Sequence, residues 1–285
     1  MKLAKFGRIL KDQRGYNHLA HMLILLVLLS IVSGAGVLVS QAQKDEPNDQ
    51  KTTTTTQSTT TTQIEAPDPA KPAIWTFDGK AWRVSGTPAA CNKQLLTVSP
   101  LNMSQVTGVG YPGQSRGGVY QTDGTLALAN AANVVLPVDA VLTEGLRYTE
   151  NGEVHYLLDF TNSCGLGIRF DHLSNLNEVV QQLVDKSLPP AQGATSTLTA
   201  ITGSPIFKAG DNIAAANGAL TFGLYDYRTP NASSRLSSYK PTGVSPAQAN
   251  YAVCWVNELP PDDRRLVQSL PATDQQAGKT SDYCK

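Results

Sequence analysis

Few side chains in this chain have types and spacing suited to chemistry. Of four histidines, only His155 and His172 lie beyond the first fifty residues. No GxSxG, HExxH or glycine-rich phosphate loop occurs. The four cysteines, at 91, 164, 254 and 284, show no CxxC spacing, and two histidines cannot complete a zinc–thiolate site with them. Asp171 beside His172 suggests a base and its orienting carboxylate. Successive strand residues point to opposite faces, however, which argues against that pairing. His155 is expected in solvent on the polar face of a hairpin, and His172 as a hydrogen-bonded groove residue. Tyr225-Asp226-Tyr227-Arg228 combines aromatics with an opposite-charge pair, which suits glycan or peptide contact and equally suits a sheet rim. The expectation is therefore no catalytic residue, no metal and no cofactor.

The elements that must position these residues read as mainly β. Val154, Tyr156, Leu158 and Phe160 alternate with His155, Leu157 and Asp159, a period-2 pattern with one apolar face. Asn151-Gly152 before them and Asp78-Gly79 between Trp75-Thr76-Phe77 and Ala81-Trp82-Arg83-Val84 both suit type I′ hairpins. Further strands are expected at 133–142, 168–171, 196–202, 219–227 and 251–256. Helical spacing of Leu176, Val179, Val180, Leu183 and Val184 predicts one short helix, and Asp262 to Val267 after Pro260-Pro261 a second.

Location follows from the N-terminus. Met22 to Val39 carries no charge, and with Leu19 and Ala20 it reaches the roughly 20 residues that span a bilayer. Lys2, Lys5, Arg8, Lys11 and Arg14 oppose Asp12 alone in front of it, which predicts an N-in single-pass anchor. A cleaved signal ending near Ser40-Gln41-Ala42 is the alternative. A prepilin-type junction at Arg14-Gly15-Tyr16 would need a Glu where Ala20 stands. The expected organisation is a cytoplasmic segment at 1–17, an anchor at 18–40, a disordered Thr-rich linker at 41–72 and an extracytoplasmic β domain at 73–285. Net charge is zero over the whole chain, so with a local +4 at the start the rest is faintly acidic, which disfavours a nucleic-acid partner. An even cysteine count outside the cell implies two disulfides, with Cys254–Cys284 and Cys91–Cys164 preferred. The first should staple the 250–285 tail, whose Thr273 to Tyr283 stretch offers little apolar surface for docking.

Four stretches carry a resemblance: Asn133 to Leu142, Gly167 to Ser174 with its His172-Leu173-Ser174, Ile206 to Ile213 with its Lys208-Ala209-Gly210-Asp211, and Ala219 to Asp226. In order and spacing they resemble the lysostaphin/LytM-type zinc endopeptidases of the duplicated hybrid motif fold, over about 115–228. The resemblance implies an antiparallel sheet of the barrel-sandwich hybrid kind. It also implies that the metal ligands are lost. Asp123 stands where the early His is expected, the HxH becomes Ala219-Leu220-Thr221, and only His172 remains, in the place of a non-ligand His. The groove candidates are thus Asp123, His172, Thr221, Tyr225, Asp226 and Arg228.

The reading that follows is a membrane-anchored, non-catalytic module that binds or regulates cell-wall components, with peptidoglycan or another envelope protein as partner. An active zinc endopeptidase and a structural surface or pilus-associated head are the alternatives.

Overall fold

The computed structural model describes residues 73–116, 119–191, 197–242, 246–275 and 278–285, within one compact unit spanning Gln63–Lys285. The expected cytoplasmic segment, anchor and linker lie outside them. Among the described residues no helix is long and apolar enough to cross a membrane.

In chain order the strands are β1 (Ile74–Phe77), β2 (Trp82–Ser85), β3 (Val106–Gly110), β4 (Gln114–Arg116) and β5 (Val119–Gln121). Then come β6 (Gly124–Leu128), β7 (Ala132–Val135), β8 (Ala140–Glu150), β9 (Glu153–Thr161) and β10 (Leu166–Ser174). The last are β11 (Thr199–Ala200), β12 (Ile206–Phe207), β13 (Asn212–Asp226) and β14 (Pro241–Thr242). Helix α1 is Glu178–Ser187, followed by single turns α2 (Pro246–Ala249) and α3 (Trp255–Glu258), and by α4 (Pro261–Ser269). The fold is mainly β, as expected. One antiparallel sheet runs β11-β8-β9-β10-β13-β6-β3, with β12 also on β8 and β7 also on β13. A small sheet, β14-β5-β4, contains a parallel pair.

Local sequence explains most of these elements and corrects several expectations. Asn151 and Gly152 have φ of 51° and 85°, the left-handed pair a type I′ turn needs, so Glu150 faces Glu153 and Tyr148 faces His155. At Asp78-Gly79 the expected two-residue turn is a four-residue loop. The Asp78 carboxylate accepts from the Lys80 and Ala81 amides at 2.9 and 2.8 Å, and in that loop only Gly79 has positive φ. The strand expected over 133–142 breaks around Pro137, which has no N–H for a ladder, into β7 and β8. That expected over 196–202 is the two-residue β11. The 251–256 run is not a strand. Ala252 makes one bridge to Tyr225, and α3 begins at Trp255. Apolar runs this short do not distinguish strand from buried irregular chain, and Tyr251, Ala252, Trp255 and Val256 are all buried.

One face of the sheet presents Leu158, Phe160, Ile168, Phe170, Leu220, Phe222 and Leu224 to the main core, closed by Val180 and Val184 of α1 and by Trp255 and Val267. A second, aromatic cluster forms around Tyr225, Tyr227 and Tyr251.

The cysteines pair as Cys91–Cys164 and Cys254–Cys284, with no free thiol. Such usage belongs to an oxidising compartment. The tail is held by more than its disulfide. The Thr273 amide donates to Val109 O, the Asp282 amide to Gly113 O, and Tyr283 lays its ring over Gly113. Cys284 ties this tail to the start of α3, not to a strand.

Candidate functional site

The face of the sheet turned away from the main core is polar, and strand register explains why. Asp159 of β9 faces Arg169 of β10, and Leu157, His155 and Asp171 share that side by alternation. On β13, Thr221, Gly223 and Tyr225 face the same way. Two β-bulges add a titratable side chain each. On β8 the register shifts between Leu142 and Glu144, so Thr143 and Glu144 together oppose Asp159. On β10 it shifts between Asp171 and Leu173, with His172 at φ 63°. A left-handed backbone is uncommon for a residue with a Cβ, and such residues gather at functional sites.

The bulge overturns the expectation that Asp171 and His172 diverge. The His172 amide donates to Asp171 Oδ1 at 2.7 Å, and its ring Nδ1 lies 3.9 Å from Asp171 Oδ2. Thr221 Oγ1 is 3.4 Å from the same Nδ1, and Glu150 Oε2 is 3.5 Å from Nε2. Tyr148 donates to Asp171 Oδ1 at 2.7 Å. Burial, and then the charge of Asp171, push the Tyr148 hydroxyl well above the usual tyrosine range, so it stays a donor. His155 is not in solvent as expected. Its ring stacks on Tyr148 at 5.7 Å and approaches the His172 ring at 6.1 Å, and its Nδ1 is buried without a hydrogen-bond partner among the described residues. Tyr148, Glu150, Asp171 and His172 border an open cleft of about 480 Å³ that reaches Leu146 and Leu157, while His155 and Thr221 adjoin His172 without lining it.

Along the same strands the face closes. Arg169 sends Nε to Asp159 Oδ1 at 2.7 Å and one terminal nitrogen to Oδ2 at 2.5 Å, and it also donates to Gln248 Oε1 at 2.8 Å. Arg169 and Asp159 are each 3% exposed. Burial opposes charge on Arg169, but the Asp159 carboxylate outweighs it and holds the guanidinium above its usual range. Next to this pair, Tyr225 donates a short hydrogen bond to Asp123 Oδ1. Burial lifts the Asp123 carboxyl to about 6, against the opposing pull of Arg169 and the Tyr225 hydroxyl. Gly223 permits this approach, since a Cβ there would stand 2.3 Å from Asp123 Oδ1. Over the end of this half lies the β1–β2 hairpin. Trp82 stacks on Tyr227 at 3.6 Å and donates to Ala247 O at 2.6 Å, while Trp75 covers Gly165 and donates to Ser163 O at 3.3 Å.

The six groove candidates therefore separate. His172 lines the open cleft, and Thr221 contacts its ring without lining the cleft itself. Asp123 and Tyr225 bind each other at the closed end. Asp226 and Arg228 do neither, because Asp226 takes Arg228 Nε at 2.6 Å and the Arg228 amide at 3.1 Å in a local pair that ends β13. Tyr148, Glu150 and Asp171 line the open cleft, and His155 packs against Tyr148 and His172, although sequence reasoning did not choose them. The Asn151-Gly152 turn carried the signal for Tyr148 and His155, since it fixes them as cross-strand partners. No group of three or more His, Cys, Asp or Glu suited to a metal occurs among the described residues. Compared with protein-family models, curated proteins and solved structures, the chain gives no match.

Proposed function

We propose that this chain is a membrane-anchored, extracytoplasmic binding protein, a relative of the LytM-type endopeptidases that holds a cell-wall peptide or glycan without cutting it. The reading rests on one contrast. His172 is turned by a left-handed bulge into an open cleft beside Glu150 and Asp171. Asp123, which stands where that family has a metal ligand, is instead engaged by Tyr225. The open cleft offers carboxylates as acceptors, the His172 imidazole and a Tyr hydroxyl as adaptable partners, and the apolar Leu146 and Leu157 beside them. Such a mix suits a polar chain carrying amides and hydroxyls.

The test is co-sedimentation of the full chain, in detergent micelles, with insoluble peptidoglycan. The chain should sediment, and the His172→Ala, Glu150→Gln double variant should bind about tenfold or more weaker, a loss of roughly 1.4 kcal/mol or greater. Full recovery in the supernatant would overturn binding in favour of a structural surface or pilus-associated head. Release of soluble fragments, abolished by a chelator, would instead establish an active zinc endopeptidase.

A further inference from the structure

A second cleft, of about 340 Å³, lies between the β1–β2 hairpin and the closed half of the sheet face. Trp75, Phe77, Trp82 and Tyr227 form its walls, and Glu144 lines it next to Asp159. The charges in this cleft do not cancel. Asp159 is neutralised by a bidentate Arg169, and that guanidinium is further committed to Gln248. Glu144 sits directly across the strand pair from Asp159, and among the described residues its carboxylate makes no hydrogen bond or ion pair. Burial, and then the neighbouring Asp159 charge, push its carboxyl above the usual range, with Arg169 pulling the other way. The bulge at Thr143 puts Glu144 on this face. Thr143 bonds instead to Asp159 O at 3.1 Å, and the extra residue carries Glu144 into register with Asp159.

One uncompensated carboxylate among aromatic rings is a cation receptor. The rings offer negative π faces, and the carboxylate accepts hydrogen bonds that a neutral ligand cannot give as strongly. A guanidinium would compete with the Arg169 fork already present, whereas an ammonium on a flexible alkyl chain needs only a narrow entrance and an apolar wall for its methylenes. We propose that this cleft binds an alkylammonium group, as carried by a lysine side chain, with Glu144 as its counter-ion and Trp75, Phe77 and Trp82 packed against its carbons. The site is separate from the His172 cleft and does not depend on the reading given for it.

The experiment follows tryptophan emission of the full chain, in detergent micelles, during titration with n-butylammonium chloride and with Nα-acetyl-lysine methylamide at constant ionic strength. n-Butanol and N-acetylglucosamine serve as neutral probes. Both ammonium probes should give saturable changes, n-butanol and the sugar none. Glu144→Gln should weaken the ammonium response about tenfold or more, equivalent to roughly 1.4 kcal/mol or more, with an unchanged far-ultraviolet circular dichroism spectrum. An equal response to butylammonium and butanol in the unaltered chain would overturn the proposal without recourse to any variant. So would an unchanged response in Glu144→Gln, or saturation by the sugar alone.

Discussion

Two halves of one sheet face lie a few residues apart on the same strands and behave in opposite ways. In the closed half, every charge except that of Glu144 has a committed partner. Arg169 answers Asp159 and Gln248, Tyr225 answers Asp123, and aromatic rings lie above them. In the open half, the His172 ring has three possible partners at 3.4 to 3.9 Å and is committed to none, and His155 has a buried nitrogen with no partner among the described residues. The difference shows how one polar face can be locked into the fold at one end and left loosely paired at the other. Where geometry is short and bidentate the charges act as core. Where it is long and branched, they stay available, as the proposed binding role requires.

The contrast yields predictions ordered by size. Arg169→Met should be the most damaging, costing about 3–5 kcal/mol by chemical denaturation, since it strands a buried Asp159. The Asp159→Leu, Arg169→Met double variant should recover most of that stability. A cost below about 1 kcal/mol for the single change would mean that the closed half is not sealed.

The second prediction concerns pH. Burial pushes the Asp123 carboxyl up to about 6 in the folded chain, above the ordinary aspartate value of 3.8. The folded state therefore holds this proton more tightly than the unfolded one. Its stabilising effect is complete below about pH 4 and is lost as pH rises through about 6, at most about 3 kcal/mol. In Asp123→Asn that part of the pH dependence of unfolding should vanish.

Effects in the open half should be smaller. Tyr148→Phe removes one hydrogen bond to a carboxylate and should cost about 1–2 kcal/mol. His172→Gly should change stability by less than about 1 kcal/mol, in the stabilising direction, because glycine accepts φ 63° without strain. The same variant should lose peptidoglycan in sedimentation. Stability and binding moving apart at His172, and together at Arg169, would sharpen the comparison. A large destabilisation in His172→Gly would break it.

Much of the frame was legible in the residues. The alternation of Val154 to Phe160 gave β9 and both its faces, Asn151-Gly152 gave the register of its hairpin, and Leu176 to Val184 with the Pro260-Pro261 start located α1 and α4. What could not be read were the two bulges. A one-residue slip reverses which face a side chain joins, and no local signal marks where it occurs. Glu144 and His172 were therefore out of reach as face-mates of Asp159 and Asp171, and the rule of alternating faces misled at His172. Gln248 was also invisible. It lies in a Ser/Pro-rich stretch with little apolar content, yet it is 4% exposed and bonded to Asp159 and Arg169.

The β1–β2 hairpin has a further meaning once tension is considered. A pull arriving along the chain from residue 72 meets Ile74, whose partner Ser85 is at the same end of the hairpin. In that geometry the rungs unzip one after another instead of shearing together. The four registered pairs open in turn, and Trp75 and Phe77 lift off the Glu144 cleft as they go. The slack then runs from residue 73 to Cys91, about 60 Å of extended chain. There the bond to Cys164 carries the load directly into the turn between β9 and β10, and unravelling stops. The hairpin is a weak mechanical link in series with a covalent stop, and what it exposes when it yields is the cleft beneath it.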